Sequence, residues 1–336
     1  MGLFRRTKKE IQVEDIKIPI EEFRVEKAFR LAYGRDPLPK DLDWLSGAGV
    51  AGTACGSDLE LLRKVIAVCD RQIYPTPVTV RFRAADLAIA DMSSFKLVLD
   101  KDDISVSRSI LGTKDYEFHL RGLVERVLKP GMTAVDVGAN VGFYTMLFAS
   151  IVGPAGRVLA FEPNSENNRL ILLSKCENGF DHVQLFPLAL SDFTGAAYFS
   201  PMIGSNGGLM PNTPATLKHP NCLVVPCQPL DDIFQDHVDF IKVDIEGAEY
   251  RALLGAKKIL QQYRPVVTTE FSMEMMPRVS GIAGGDFLRW MGRLGYTAHL
   301  IPRDGTTLQV ISDVDAFLAN WGDPVRIEDL AFLPVP

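Results

Sequence analysis

The spacing of apolar residues changes near residue 75. Between residues 19 and 73 apolar side chains recur at helical intervals, and Phe23, Phe29 and Trp44 belong to this pattern. The spacing predicts a small all-α module there, preceded by a charged arm over residues 1–18. Pro75 and Pro77 then interrupt helix formation, so we expect a linker before the next domain.

Beyond this linker, short apolar runs alternate with amphipathic stretches, which is typical of a mostly parallel sheet covered by helices on both faces. The predicted strands are 78–82, 87–90, 96–99, 133–137, 157–161, 183–188, 196–200, 223–226, 240–244, 266–271, 296–301 and 307–311. The predicted helices are 116–128, 143–152, 165–176, 246–260 and 286–294. We therefore expect an α/β domain over 76–312 and a C-terminal extension over 313–336.

Composition narrows the class of protein. The 336 residues carry a formal net charge of −6, which argues against a surface built to bind a nucleic-acid backbone. The five cysteines include no C-x-x-C pair, so neither a disulfide framework nor a zinc site is expected, and a reducing cytoplasm fits best. No run of 18 apolar residues predicts a membrane span.

A glycine-rich turn follows the strand predicted at 133–137. Gly138 and Gly142 form a G-x-x-x-G pattern, which departs from the G-x-G-x-x-G of dinucleotide dehydrogenases. Gly138 allows a sharp turn, and Gly142 allows a ligand or another segment of backbone to come close. Glu162 ends the next strand, where an acid can bind the hydroxyls of a ribose. The alternative is an ordinary tight turn between a strand and a helix.

Carboxylates gather after the strand predicted at 240–244. Asp244 and Glu246 share one face if the chain stays extended, and Glu249 then lies in the first turn of the following helix. Ligands bind at this end of the strands in open α/β sheets. Alternatively, Glu246 and Glu249 only cap the helix, and Lys242 neutralises one of them.

The stretch 201–222 is rich in glycine, proline and asparagine. Long irregular connections in compact domains are usually functional, so we predict a lid over an acceptor, with an ordinary surface insertion as the alternative. The stretch contains His219, a candidate base.

Several motifs resemble the FkbM family of methyltransferases. They are found at 130–145, 161–163, 189–191, 241–249, 254–256, 264–265 and 270–271, and the I-K-V-D-I-E-G-A-E run at 241–249 is the most specific. The resemblance implies a Rossmann-like class I methyltransferase fold with a mostly parallel seven-stranded sheet. It also implies S-adenosylmethionine as methyl donor and O-methylation of a hydroxyl, often on a sugar or a polyketide.

The resemblance also implies a cofactor site, with Asp244 and Glu246 facing the methyl group or the acceptor. The expected cofactor-binding residues are Asp136, Gly138, Ala139, Asn140, Gly142, Tyr144, Thr145, Glu162, Pro163, Leu190 and Ser191. The stretches 28–37 and 41–44 are similar to a helical module of bacterial enzymes that build surface glycans. That similarity suggests a sugar acceptor in a polysaccharide or glycolipid, and a glycan-assembly partner for the N-terminal module.

Methyl transfer to a sugar hydroxyl needs help with the proton, because the hydroxyl pKa lies far above 7. The candidate catalytic residues are Asp244, Glu246, Glu270 and His219. A magnesium ion held by carboxylates is possible but not predicted as required. The alternatives are a natural-product methyltransferase, a nucleic-acid or protein N-methyltransferase, a nicotinamide dehydrogenase and a non-catalytic scaffold.

Overall fold

The computed structural model describes residues 87–335, except for 202–204, 212, 214–215, 217, 219–221 and 324. The predicted arm, helical module and strand at 78–82 lie outside the described residues, as does His219. Within the described part, no helix is long and apolar enough to cross a membrane.

The described chain alternates strands and helices. The strands are β1 (Leu87–Asp91), β2 (Lys96–Asp100), β3 (Thr133–Val137), β4 (Arg157–Phe161), β5 (Val183–Phe186), β6 (Ala189–Leu190), β7 (Gly195–Pro201), β8 (Gly207–Met210), β9 (Leu223–Gln228), β10 (Phe240–Val243), β11 (Val266–Ser272), β12 (Tyr296–Leu300), β13 (Gln309–Val310) and β14 (Ile327–Pro334). The helices are α1 (Val106–Thr113), α2 (Phe118–Val127), α3 (Phe143–Val152), α4 (Ser165–Asn178), α5 (Leu230–Ile233), α6 (Glu249–Leu254), α7 (Lys257–Gln262), α8 (Met275–Val279), α9 (Gly284–Arg293) and α10 (Val314–Ala319).

The main sheet has the strand order β13-β12-β14-β11-β10-β3-β4-β5. Strands β5, β4, β3, β10 and β11 are parallel, whereas β14 is antiparallel to both β11 and β12. Six strands therefore run in one direction, which confirms the mostly parallel Rossmann-like sheet. The two-residue β13 adds an eighth, antiparallel strand at the edge.

The C-terminal segment is part of this sheet. The predicted extension over 313–336 contributes β14, which lies between β11 and β12. Leu330, Ala331 and Phe332 are fully buried there. The segment therefore completes the sheet of the α/β domain instead of following it as a separate extension.

The helix predicted at 246–260 is wrong in its bounds. Glu246 and Gly247 have φ of 56° and 96°, so the helix begins only at Glu249. A second break separates α6 from α7 at Gly255 and Ala256, and a Cβ on Gly255 would lie 2.0 Å from the carbonyl oxygen of Ser191. Helix α1 was not predicted.

A second sheet has the order β6-β9-β7-β8. The strand predicted at 183–188 ends at Phe186, and the chain then joins this second sheet through β6. Strand β8 pairs with β7 in a hairpin, so part of the predicted irregular lid over 201–222 is regular structure.

Two hydrophobic cores cover the faces of the main sheet. In the first, the rings of Phe148 on α3 and Phe240 on β10 meet edge to face, with centroids 5.4 Å apart. The β1–β2 hairpin extends this layer, and the Val98 N–H donates to Ser174 Oγ on α4. Residues of the central strands β3, β4 and β10 are buried in these two cores, so their carboxyl ends are positioned by packing on both faces.

Candidate active site

A cleft of about 1010 Å³ opens at the carboxyl ends of β3, β4 and β10. Strands β4 and β5 lie on one side of β3, whereas β10 and β11 lie on the other. This reversal of strand order is where ligands bind in open α/β sheets.

The glycine-rich turn forms the floor of the cleft. Gly138 has φ of 78°, and a Cβ there would lie 2.0 Å from the carbonyl oxygen of Asp244. Gly142 has φ of 92° and faces Ile171 on α4, whose Cγ1 would lie 2.9 Å from an added Cβ. Contacts with Asp244 and Ile171 therefore leave no room for a side chain at either glycine. Between them Asn140 also has a positive φ, of 50°, a conformation that asparagine tolerates.

Glu162 lies at the end of β4, as predicted, and is held by backbone donors. Its Oε2 accepts the N–H of Asn140, and its Oε1 accepts the N–H of Asn164, each at 2.8 Å. Burial raises the pKa of this carboxyl to about 7, against the two backbone hydrogen bonds, which lower it. Each carboxylate oxygen has further acceptor capacity, and the residue lines the cleft.

The β7–β8 hairpin closes the cleft on the β4 side. The Asn140 side-chain amide donates to Asn206 Oδ1 at 3.0 Å, and the Asn167 amide donates to the Ser205 carbonyl oxygen at 2.8 Å. Ser205 N–H in turn donates to Asp103 Oδ1 at 3.0 Å. The hairpin is thus attached to the turn, to α4 and to the loop before α1.

A buried ion pair forms the opposite side. Lys242 on β10 is 3% exposed, and its Nζ lies 3.0 Å from Asp244 Oδ2 and 5.0 Å from the ring centre of Tyr144. Burial alone would lower the pKa of Lys242, but Asp244, Asp136 and Glu117 raise it above its ordinary value. Lys242 is therefore a permanent cation that orients Asp244.

Asp136 supports this side from behind. It is fully buried, and its Oδ2 accepts the Thr145 hydroxyl at 2.6 Å. Burial raises the pKa of Asp136, whereas Lys242 lowers it. Asp136 and Thr145 do not line the cleft. Their hydrogen bond joins β3 to the first turn of α3, and Asp136 acts electrostatically on Lys242.

The remaining carboxylates divide into two kinds. Glu249 is 1% exposed, and its Oε1 accepts the N–H groups of Ile245 and Gly247, which matches the capping alternative. Glu246 and Glu270 instead line the cleft. Burial, followed by Asp244, raises the pKa of both, and that of Glu270 reaches about 10.

The cleft brings most of the predicted residues together. Those that line it are Gly138, Ala139, Asn140, Tyr144, Glu162, Pro163, Leu190, Asp244, Glu246 and Glu270. Those outside its wall are Asp136, Gly142, Thr145 and Ser191. Sequence reasoning missed Tyr116, Glu117, Asn167 and Asn206, which also line it. None of these belongs to a motif with a fixed spacing from the glycine-rich turn.

The described residues contain no group of three or more His, Cys, Asp or Glu side chains arranged to hold a metal ion.

The sheet, the glycine-rich turn and the cleft at the strand reversal define a Rossmann-like fold of the class I methyltransferase type. Residues 136–298 match the family described as the Methyltransferase FkbM domain. This stretch is therefore an FkbM methyltransferase domain, as the motifs predicted.

The chain is similar to a curated relative and to solved structures of methyltransferases. The 2-O-methyltransferase NoeI of Sinorhizobium fredii (strain NBRC 101917 / NGR234) is 24% identical over 172 residues, which cover 45% of this chain and 68% of NoeI. The crystal structure of Methyltransferase FkbM from Methylobacillus flagellatus KT is 17% identical with a TM-score of 0.38, covering 63% of this chain and 50% of that one. An SAM-dependent O-methyltransferase from Thermotoga maritima is 11% identical with a TM-score of 0.35, covering 72% and 74%. The chain thus spans half the length of the Methylobacillus protein.

Proposed function

We propose that this protein is an S-adenosylmethionine-dependent O-methyltransferase that acts on a sugar hydroxyl. The observation that carries the proposal is the division of the cleft. Glu162 lies at one end, the glycine-rich turn forms the floor, and Glu117, Asp244, Glu246 and Glu270 gather at the other end. This arrangement fits a cofactor with a ribose at one end and positive charge at the other.

The residues of the cleft fit the proposed cofactor. At Gly138 and Ala139 the backbone lines the ligand space, and the buried Oδ1 of Asn140 has no hydrogen-bond partner within the described part of the chain. Glu162 is placed to accept ribose hydroxyls with its remaining lone pairs. When bound, the cofactor would supply an electrophilic methyl group on a sulfonium.

We assign Asp244 as the general base that accepts the proton of the acceptor hydroxyl. Lys242 holds Asp244 Oδ2, and no described residue donates a hydrogen bond to Oδ1. Glu270 is protonated near neutral pH because of burial and its acidic neighbours, so it is suited to donate a hydrogen bond to the acceptor. Positioning the acceptor oxygen near the methyl carbon would supply much of the remaining acceleration.

The acceptor class rests on two supports. NoeI, the relative in Sinorhizobium fredii, is named a 2-O-methyltransferase. The stretches 28–37 and 41–44 are similar to a module of surface-glycan enzymes. We therefore propose a polysaccharide or glycolipid sugar as acceptor in the cytoplasm, with a glycan-assembly partner at the N-terminal module. The net charge of −6 disfavours a nucleic acid.

Two measurements test the proposal. Calorimetric titration should give saturable binding of S-adenosylmethionine and none of NAD. Label from methyl-tritiated S-adenosylmethionine should then pass to members of a panel of methyl glycosides, and not to a macrolide, RNA or peptide panel. No binding of S-adenosylmethionine, or tighter binding of NAD, would overturn the assignment of the cofactor. Label found only on a macrolide would identify the acceptor as a natural product and not a sugar.

An Asp244→Asn variant tests the assignment of the base. We expect the transfer rate to fall by about 100-fold or more, in line with the usual contribution of general base catalysis. Asp236→Asn is the matched control, because the Asp236 side chain is 77% exposed and far from the cleft wall. Unchanged transfer by Asp244→Asn would remove Asp244 from this role.

A further inference from the structure

Glu117 enters the cleft from outside the matched FkbM domain. It directly precedes α2 and has φ of 45°, in the left-handed region. The Tyr144 hydroxyl donates to its carbonyl oxygen at 3.5 Å. A non-glycine residue persists in this conformation only where the surrounding structure enforces it, and such residues concentrate at binding sites.

The Glu117 side chain has an unmet need for a positive partner. Among the described residues, its buried Oε2 has no hydrogen-bond donor, and no Lys, Arg or His lies within ion-pair distance of it. Lys242 acts on it electrostatically but is already paired with Asp244. A buried carboxylate without a partner is costly, so the site favours either a proton or a cation at Glu117.

Several titratable groups face Glu117. They are Lys242 on β10, Asp244 directly after this strand, Asp329 on β14, Tyr144 on α3 and the neighbouring Tyr116. Burial, followed by Asp244 and Asp329, raises the pKa of Glu117 to about 7, whereas Lys242 and Tyr144 lower it. Without a ligand, the Glu117 carboxyl is therefore partly protonated near neutral pH.

The position of Glu117 in the cleft indicates which part of a cofactor would meet it. The β4 side is the nucleoside side, because it combines Glu162 with an apolar wall. That wall consists of Phe161, Leu190, Phe199 and Leu209. Glu117 interacts instead with Asp244 and Lys242 at β10, on the other side of the glycine-rich turn. A ligand with its ribose at Glu162 would extend its other end toward Glu117.

We propose that the Glu117 carboxylate binds the α-ammonium group of the amino-acid part of S-adenosylmethionine. This inference rests on the proposed function. It assigns the recognition of that group to a residue outside the span 136–298, next to the strained start of α2. When the ammonium arrives, the proton on Glu117 passes to the buffer, and the carboxylate and the ammonium form a charge-assisted hydrogen bond. Cofactor binding and proton release are therefore linked.

Three ligands separate this role from other roles of Glu117. S-adenosylmethionine has both the ammonium and the sulfonium, S-adenosylhomocysteine has only the ammonium, and 5′-methylthioadenosine has neither. Each is titrated calorimetrically into the wild-type chain, Glu117→Gln and Glu125→Gln. Glu125→Gln is the matched control, because it removes an exposed carboxylate from the same helix.

We expect Glu117→Gln to weaken both S-adenosylmethionine and S-adenosylhomocysteine by about 10- to 100-fold, the worth of one buried hydrogen bond to a charged group. Its affinity for 5′-methylthioadenosine should match that of the wild type. At pH 7, titrations in phosphate and in Tris should reveal proton release by the wild type with the first two ligands and a smaller release by Glu117→Gln.

The wild type alone provides a second measurement that needs no variant. Its affinity for S-adenosylmethionine should rise from pH 6 to pH 8 relative to its affinity for 5′-methylthioadenosine. Equal weakening of all three ligands by Glu117→Gln, unchanged affinity for S-adenosylhomocysteine, or a pH-independent ratio would overturn the role of Glu117. Failure of the wild type to bind any of the three ligands would instead refute the proposed function, and this inference with it.

Discussion

The carbonyl oxygen of Asp244 lies 2.0 Å from the position that a Cβ on Gly138 would occupy. These two residues lie at the adjacent ends of β3 and β10, and the Asp244 N–H donates to the Val137 carbonyl oxygen at 3.1 Å. The absence of a side chain at Gly138 is thus what allows the two motifs to meet. The glycine-rich turn and the carboxylates after β10 form one site because of this contact.

Gly138→Ala should therefore disrupt the whole cleft. The new Cβ would clash with backbone, which cannot move aside cheaply, and φ of 78° is unfavourable for alanine. We expect a loss of about 3 kcal/mol or more in the free energy of unfolding, measured with urea, together with loss of cofactor binding.

Gly179→Ala is the control for this change. Gly179 also has a positive φ, of 66°, with ψ of 29° in the left-handed helical region, but an added Cβ there would meet nothing within 4 Å. It should cost only about 1 kcal/mol from backbone strain. Equal losses for the two variants would show that the contact with Asp244 is not what requires Gly138.

A feature of this site can be predicted from sequence when neighbouring residues determine it, and not when a contact between distant segments does. The bounds of β3, β4 and α3 were predicted to the residue, because runs rich in apolar residues, with glycine or proline close to their ends, specify them. The start of α6 was not, because Gly247 takes φ of 96° against the Met275 carbonyl, a contact between distant segments. The place of Glu117 in the cleft was also missed, because it depends on how α2 packs over the sheet.

The Asp103→Asn variant tests how the β7–β8 hairpin is held. Asp103 Oδ1 accepts the Ser205 N–H and both donors of Ser105, and Oδ2 accepts the Ser107 N–H at 2.8 Å. Burial would raise the pKa of Asp103, but its hydrogen bonds from Ser105 and Ser107 lower it. An amide cannot accept on both sides, so one donor is left without a partner.

We expect Asp103→Asn to cost about 1–3 kcal/mol in the free energy of unfolding, because the Ser107 N–H loses its acceptor. We also expect it to weaken S-adenosylmethionine binding severalfold, because a neutral amide oxygen holds the Ser205 N–H less strongly than a carboxylate oxygen does. Thermal unfolding and calorimetry measure the two effects. Asp102→Asn removes an exposed neighbouring carboxylate and should change neither. Wild-type affinity in Asp103→Asn would mean that the attachment of the hairpin at Asp103 does not matter for the cofactor.

Glu270→Gln distinguishes a hydrogen-bond donor from a base. Burial, followed by Asp244 and Glu246, raises the pKa of Glu270 to about 10, so its side chain is neutral at pH 7. Glutamine reproduces a neutral side chain of the same size. We expect cofactor affinity within about threefold of wild type and transfer to the acceptor within about tenfold. A loss of transfer beyond about 100-fold with unchanged cofactor affinity would instead identify Glu270 as the base.

Buried Glu249 should make stability depend on pH. Burial raises the pKa of its carboxyl from an ordinary value of 4.5 to about 7, against backbone hydrogen bonds that lower it. The folded state therefore binds the proton more tightly than the unfolded state. The resulting stabilisation is complete below pH 4.5 and is lost as the pH rises through 7.

Glu249→Gln keeps an oxygen acceptor for the N–H groups of Ile245 and Gly247 but carries no titrating proton. Between pH 4.5 and pH 8, the variant should therefore gain on the order of 3 kcal/mol in free energy of unfolding relative to wild type. Glu162 contributes in the same direction in both proteins, so its effect cancels in the difference between them. Urea unfolding at several pH values measures this difference, with Glu125→Gln as the control for loss of a surface charge. A constant difference between Glu249→Gln and wild type across this range would show that Glu249 does not take up a proton on folding.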